Sequence, residues 1–416
     1  MKILVVTPYL PHRHIGHGGG TAVRDLVASL ASQHEVYVAA LVRPHESEHI
    51  AAVEELGANV IPLPFHDRTA RGKQRLRLLA TRTAAAGRSL ISGYPLYVEK
   101  YWSAQLSRRL QEVVDAVAPD AVQVEYLQMA LLCRDLRHQR DRTGRSWPRL
   151  VLNSHELGSL PRERRARRAS NPVVRLSALR EARQWRRLQV AATGWADTTL
   201  CVTPQDHDLY AALGGRNLRT VPLGMNTAAI RAEWAPTNPP RLLFLGSFDH
   251  RPNRLAADFL LKRMWPTVSV RQPDLQLVLA GRGSRDFLAR LSGRIDAEDR
   301  VQALGFVEDL TPWFRKCRCF VAPLAEGGGI KIKILEAMAR GIPVITTDVG
   351  AEGICSTGDN ALVIAPCDDS FAEAVIGVMA DPQDAAERAA RGRKIIEEEF
   401  SWSAITRQLV AIYEGA

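Results

Sequence analysis

Three places along the chain put glycines or a histidine where an anion or a sugar could be handled. The first is Glu326-Gly327-Gly328-Gly329-Ile330-Lys331-Ile332-Lys333, which follows an apolar strand-like run and leads into a helical one. Backbone N–H groups at a helix start, aligned with the positive end of its dipole, bind anions, and glycines let a phosphate approach closely. A cation at a helix N-terminus opposes the dipole by ~0.3–1 kcal/mol, so Lys331 and Lys333 are best explained by an anion lying between them. The competing explanation is a glycine-rich turn with solvated lysines. Glu336 shares a helix face with Lys333 by i, i+3 spacing. It could bridge to that lysine or hydrogen-bond vicinal hydroxyls such as a ribose diol. Arg251, in Gly246-Ser-Phe-Asp-His-Arg-Pro-Asn253, could reach a phosphate or sit solvated ahead of the following helix.

The second place is His14-Ile-Gly-His-Gly18-Gly19-Gly20-Thr21. Its glycine spacing is not G-x-G-x-x-G and no acidic residue ends the next strand, so NAD binding is weakly supported. A glycine loop facing an anionic ligand fits better, with a plain tight turn as the alternative. The third is the strand end Leu150-Val-Leu-Asn-Ser-His155-Glu156. A histidine there can donate to a sugar hydroxyl or accept a proton near neutral pH, or it can be structural.

The elements that must hold these residues read as α/β throughout. Residues 2–7 form an apolar strand, 21–31 carry Val23, Leu26, Val27 and Leu30 at helical spacing, and 36–42 are apolar again, a βαβ unit with parallel pairing. Further strands are expected at 58–61, 121–124, 150–153 and 198–202. After the Pro-rich segment 236–240 a second start appears. Strands at 241–245, 275–280, 301–304, 318–322, 343–346 and 361–364 alternate with helices at 254–270, 284–293, 309–316, 330–340 and 370–380. Two doubly wound units follow, with ligands expected beyond the carboxyl ends of their strands. Trp402, Ile405, Leu409 and Ile412 predict a final amphipathic helix.

Composition fits this picture. With 416 residues, 46% hydrophobic and 24% charged, the chain is globular and disorder is excluded. The apolar start is stopped by Pro8 and Pro11 and no run approaches the length of a membrane span, so a cytoplasmic location is expected. The six cysteines contain no CxxC pair and read as reduced core thiols rather than a zinc site or disulfide framework.

Glu326-Gly-Gly-Gly, with Leu335-Glu-Ala-Met-Ala339, Gly341-Ile-Pro-Val-Ile345 and Gly350-Ala-Glu-Gly353, resembles the carboxyl-domain signature of family 4 glycosyltransferases, retaining enzymes of the GT-B fold. Leu200-Cys-Val-Thr-Pro-Gln-Asp206, Val221-Pro-Leu-Gly-Met225, Leu279-Ala-Gly-Arg-Gly283, Leu304-Gly-Phe-Val-Glu-Asp309 and Phe400-Ser-Trp402 extend the resemblance over nearly the whole chain. It implies two facing Rossmann-like domains: 1–225, joined by a crossing helix at 402–416, for the acceptor, and 240–400 for a nucleotide-diphosphate sugar. By the same resemblance Gly305, Phe306 and Val307 border the base, Glu336 holds the ribose, and His155 lies near the donor sugar's hydroxyls. The diphosphate falls to Gly18, Gly19, Gly20, Gly327, Gly328, Gly329, Lys331, Lys333 and Arg251.

Two departures from the family pattern bear on mechanism. The family has two glutamates separated by seven residues; the position eight before Glu336 is Gly328, and Glu326 stands two residues too far. The family's Arg and Lys after the first strand of the carboxyl domain are replaced near Ser247 and Pro252. Lys331, Lys333 and Arg251 are therefore expected to supply the positive charge. Fixed cations and N–H groups can stabilise the charge that develops on a departing diphosphate, so neither a metal nor another cofactor is expected beyond the sugar nucleotide as co-substrate. Retention by front-side attack is inherited from the resemblance. A sugar-nucleotide epimerase, a glycosyl phosphorylase, or a non-catalytic nucleotide-sugar or RNA-binding protein would share the architecture.

The net charge of +10 is concentrated in residues 162–187, with ten arginines and two glutamates. Over 172–190 the pattern is helical, with Val174, Ala178, Trp185 and Leu188 on one face and Arg175, Arg180, Arg183, Arg186 and Arg187 opposite. A solvated face explains this, as does peripheral contact with an anionic membrane surface for an enzyme with a lipid-linked acceptor. Nucleic acid is disfavoured, because the arginines are not interleaved with stacking aromatics.

Overall fold

The computed structural model describes residues 1–12, 18–65, 73–144, 147–155, 157–227, 230–231, 233–296, 298–327, 329–354 and 360–415. The chain divides into two compact units, Met1–Gly224 with Ile405–Ala416, and Met225–Ala404.

The first unit runs β1 (Lys2–Thr7), α1 (Gly18–Ala31), β2 (Glu35–Val42), α2 (Ile50–Glu54), β3 (Ala58–Pro64), α3 (Lys73–Ser92), α4 (Leu96–Glu99) and α5 (Ala104–Val117). It continues through β4 (Ala121–Glu125), α6 (Ala130–Thr143), β5 (Arg149–Asn153), α7 (Ser159–Arg168), α8 (Pro172–Thr193), β6 (Thr198–Cys201), α9 (Pro204–Ala212) and β7 (Leu218–Thr220). The strands form one parallel sheet in the order β3-β2-β1-β4-β5-β6-β7. Strand β1 is buried on both faces from Ile3 to Thr7, as expected of a parallel strand covered by helices on both sides, whereas β4 carries Gln123 and Glu125 on one face. Leu4, Val6, Val122, Val124 and Leu152 pack with Leu110, Val113 and Leu132 of the helices on one side of the sheet.

The second unit contains β8 (Arg241–Leu245), α10 (Arg251–Phe259), α11 (Trp265–Arg271), β9 (Gln276–Ala280), α12 (Ser284–Ala289), β10 (Val301–Gly305) and α13 (Thr311–Lys316). Then come β11 (Cys319–Ala322), α14 (Ile332–Ala339), β12 (Val344–Thr346), α15 (Asp348–Ala351), β13 (Leu362–Ile364), α16 (Asp369–Ala380) and α17 (Pro382–Ile395). Its six parallel strands are ordered β10-β9-β8-β11-β12-β13. In each sheet the winding reverses once, between β1 and β4 and between β8 and β11. Crevices at such switch points, beyond the strand carboxyl ends, are where open α/β sheets bind ligands.

The last helix, α18 (Trp402–Glu414), begins in the second unit and ends in the first. Ile405, Leu409 and Ile412 are buried as their spacing predicts, and the Thr406 hydroxyl lies 2.7 Å from that of Ser29 on α1.

The structure differs from the sequence expectations in several places, and edge strand β7 (Leu218–Thr220), only three residues long and half-exposed or exposed, was not expected. Gly18–Gly20 form the first turn of α1 rather than a loop; first-turn N–H groups have no intrahelical acceptor anyway, so glycine is tolerated there. Residues 254–270 belong to a longer run from Arg251 to Arg271, in which a π-helical turn at Leu260–Met264 joins α10 to α11. Helix α17 was not expected, because its inner face is Ala385, Ala389 and Gly392, too small to register as an apolar stripe. Val174 is exposed, unlike Ala178, Trp185 and Leu188, because the first turns of α8 extend past its packing partner α7. Cys133, Cys201, Cys317 and Cys319 are free and buried and Cys367 is free and half-buried, while Cys355 lies outside the described residues.

Candidate functional site

In the second unit the switch point brings together the loops after β8 and β11. Strands β8 and β9 are followed by Gly246 and Gly281, and β10 ends on Gly305. A Cβ on Gly281, at φ +122°, would stand 2.0 Å from the Gly246 carbonyl oxygen, so these ends approach as only bare backbone can. After β11, Gly327 and Gly329 take φ +142° and +69°, the region that favours glycine. Gly328 lies outside the described residues. The chain then enters α14, with Lys331 at its N-cap.

Both lysines fold inward. The Lys331 ammonium bonds the Gly329 carbonyl and lies 3.3 Å from Glu352. The Lys333 ammonium is donated to Asn253 Oδ1 near the start of α10 and sits 5.1 Å from the centre of the Phe244 ring. Among the described residues no carboxylate pairs with Lys333. Burial first, then repulsion from Lys331, lowers its ammonium to about 8. A buried ammonium without a carboxylate partner among the described residues, beside a glycine-lined helix start, has the chemistry to meet an anion.

Arg251, at the first turn of α10, forms an ion pair with Glu326 of the glycine loop. Glu336 is bonded by Arg340 one turn later, at 3.1 Å, and not by Lys333; Arg340 in turn lies 2.9 Å from the Thr311 hydroxyl and over the Phe314 ring. The structure thus brings Lys331, Lys333, Arg251, Gly327 and Gly329 into one loop cluster and places Glu336 on the same helix. Gly305 takes φ +76° and donates its N–H to Ser284 Oγ at 2.9 Å. Phe306 beside it is 73% exposed and Val307 half-buried, an open apolar face beyond the end of β10.

In the first unit, Gly18, Gly19 and Gly20 start α1, the helix that follows β1 in the chain, while His14 and Gly16 lie outside the described residues. His155 follows β5 with φ +57°, and Tyr126 follows β4 with φ +71°. Their rings stack at 3.8 Å, 10° from parallel. The His155 ring bonds Glu125 at the end of β4, and its side chain is 7% exposed. Glu156, expected beside it, lies outside the described residues. Sequence reasoning missed Asn253, Glu352, Tyr126 and Glu125. For Glu125 a signal existed: Ala121-Val-Gln-Val-Glu125 alternates apolar and polar in a strand otherwise built for burial.

Among the described residues no group of three His, Cys, Asp or Glu side chains could hold a metal ion, and no helix is long and apolar enough to cross a membrane.

Solved structures share this architecture over the full chain. Sucrose-phosphate synthase from Thermosynechococcus elongatus superposes with a TM-score of 0.68 at 19% identity, covering 100% of this chain and 98% of that one. Anabaena Alr3699/HepE, solved in complex with UDP, gives 0.64 at 16% identity and full coverage of both. The fold is that of the GT-B glycosyltransferases. Residues 239–381, from the start of β8 through α16, match the family described as glycosyl transferases group 1. The matched residues all lie within the second unit.

Relatives in sequence include mannosyltransferases. A phosphatidyl-myo-inositol mannosyltransferase of Mycolicibacterium smegmatis is 29% identical over 209 residues, 48% of this chain and 52% of the relative. The lipopolysaccharide core biosynthesis mannosyltransferase LpsB of Rhizobium meliloti is 30% identical over 186 residues, 42% and 52% of the two. A GDP-mannose-dependent monoacylated alpha-(1-6)-phosphatidylinositol monomannoside mannosyltransferase of Corynebacterium glutamicum is 32% identical over 172 residues, 39% and 44%. The chain spans about half the length of the curated relatives it matches.

Proposed function

We propose that this chain transfers a sugar, with retention and without a metal, from a nucleotide-diphosphate sugar to an acceptor hydroxyl. The observation that carries the reading is Lys333: a buried ammonium with no carboxylate partner among the described residues, beside Lys331 and the glycine-rich start of α14. The acceptor oxygen bonds the anomeric carbon as the bond to the leaving diphosphate breaks, and the acceptor proton passes to the departing phosphate. Charge grows on the diphosphate, where Lys331, Lys333 and the N–H groups of α14 oppose it without reorganising. In this reading Glu336 takes the ribose, Gly305 to Val307 the base, Gly18 to Gly20 and Arg251 further phosphate contacts, and His155 a hydroxyl of the donor sugar. The second unit holds the donor and the first the acceptor.

The named activities of the relatives favour mannose as the sugar and a lipid-borne polyol as the acceptor. Helix α8 supports a lipid surface. Its start, residues 172–177, is exposed on every side, with Val173 74% and Leu176 70% exposed among Arg175 and Arg180. Apolar side chains flanked by arginines suit the interface of an anionic membrane. The test incubates the protein with GDP-mannose and vesicles containing phosphatidylinositol, following mannolipid formation and its anomeric configuration, with and without a chelator. Transfer is expected to be lost in Lys331→Ala/Lys333→Ala while the fold persists. Full activity in that double variant refutes the phosphate assignment, and loss of wild-type activity on chelation refutes the metal-free chemistry.

A further inference from the structure

We infer that Glu125, locked by Gln123 and through it by Tyr413 of the terminal helix, is a positioning residue that fixes the tautomer and ring orientation of His155. The inference deepens the proposed function, on which it rests for the role of His155 towards the sugar. Glu125 ends β4 and is fully buried, where a carboxylate persists only among hydrogen-bonding partners. Three side-chain nitrogens converge on it. Gln123 Nε2 donates to Oε1, Asn153 Nδ2 to Oε2 at 3.1 Å, and His155 Nε2 lies against Oε2.

Gln123 stands two residues earlier on the same face of the strand, also fully buried. Its Oε1 accepts from the Tyr413 hydroxyl on α18. Burial, then the charge of Glu125, pushes that phenol well above its ordinary range, so the hydroxyl stays protonated and donates. A donor at Oε1 leaves the Gln123 amide a single orientation, NH2 towards Glu125, since a flip would set its oxygen against the carboxylate. The polarity of the row is then set from end to end: phenol to amide oxygen, amide N–H to carboxylate, and imidazole Nε2–H to the same carboxylate. An acceptor at Nε2 selects the Nε2–H tautomer of the neutral ring and leaves Nδ1 as the atom that meets a ligand. Tyr126, stacked on the ring, blocks its rotation. Both residues carry positive φ, a backbone that few non-glycine residues adopt, so the ring is held in place from both the main chain and the side chain.

Imidazole nitrogen NMR of the whole chain tests this, with the His155 signals assigned by their loss in His155→Asn. The wild type is expected to show the Nε2–H tautomer. Glu125→Gln, equal in shape, is expected to lose that preference, and Tyr413→Phe to mix the two tautomers. An unchanged Nε2–H tautomer in Glu125→Gln overturns the inference, and an unchanged one in Tyr413→Phe overturns the part assigned to the terminal helix. Should Glu125→Gln fail to fold, Gln123→Glu, which sets a second carboxylate against the first, and Tyr413→Phe carry the same measurement. In mannose transfer, kcat is expected to fall about 10–100-fold in Glu125→Gln, the scale seen when an orienting partner of a working histidine is removed. Tyr413→Phe is expected to lose about 2–10-fold, the loss of one neutral hydrogen bond. The KM for the donor should change little. Lost tautomer control with undiminished kcat overturns the positioning role. The NMR reading needs no substrate, so a wild type inert towards every sugar nucleotide refutes the proposed function while the tautomer still decides the inference.

Discussion

Lys333 is the residue whose replacement separates stability from function most sharply. Its ammonium is lowered from 10.5 to about 8 in the folded chain. At 1.36 kcal/mol per pH unit, keeping the buried lysine charged below pH 8 costs the fold about 3 kcal/mol. The sign follows from proton counting. Between about 8 and 10.5 the unfolded chain binds the proton and the folded chain does not, so the wild type gains stability as pH rises through that window. Lys333→Met removes the term. The variant also strips Asn253 Oδ1 of its donor, but that loss is independent of pH and cancels when two pH values are compared. The stability difference between wild type and Lys333→Met should therefore move by about 3 kcal/mol towards the wild type between pH 7 and pH 10.5. For a unit of the size of Met225–Ala404, this is a relative shift in Tm of roughly 6–12 °C, readable by calorimetry. A difference that stays flat over the window refutes the buried-ammonium reasoning. An anion bound beside Lys333 should reverse the effect. Wild-type affinity for a nucleoside diphosphate is expected to weaken as pH rises above about 8, approaching tenfold per pH unit, while the variant binds weakly and without that slope.

Three further outcomes are expected. Burial works to raise the Asp197 carboxyl, but the bidentate Arg140 guanidinium, at 2.7 and 2.9 Å, outweighs it and holds it below the usual range; its contribution is present above the unfolded value and fades as pH falls through the folded one. Asp197→Asn should cost about 2–3 kcal/mol at neutral pH, and less in acid, by denaturant titration. Gly281→Ala sets a methyl 2.0 Å from the Gly246 carbonyl oxygen at φ +122°, and should cost about 1–3 kcal/mol in thermal unfolding while weakening nucleotide affinity. Val173→Glu/Leu176→Glu at the tip of α8 should abolish sedimentation with anionic vesicles without lowering Tm; retained vesicle binding would show that this tip is not the membrane contact.

The two kinds of information in the sequence explain what could be read from it. Fold followed from local pattern: β1, β8 and β11 are continuous apolar runs because both faces of a parallel sheet are covered, and Gly327 and Gly329 stand where φ is positive. The ends of α18 were legible for the same reason, since 3.6-residue periodicity survives wherever large side chains do the packing. Helix α17 was hidden because alanine and glycine pack its inner face. The candidate site obeys a different rule. Lys333 meets Asn253 across 80 positions and Arg251 meets Glu326 across 75, so pairing depends on which loops the winding brings to the switch point, and no local pattern records that. The cation positions after β8 illustrate the consequence. Counted along the sequence, that loop keeps Arg251 but has Ser247 and Pro252 near the places where the resembled pattern carries Arg and Lys. In space, Lys333 of α14 extends its ammonium to Asn253 of α10, so positive charge reaches the start of the helix that follows β8 from a different element. A charge needed at a position can be supplied from any element that the winding brings near it, so two chains can differ in sequence at a loop and still place charge alike.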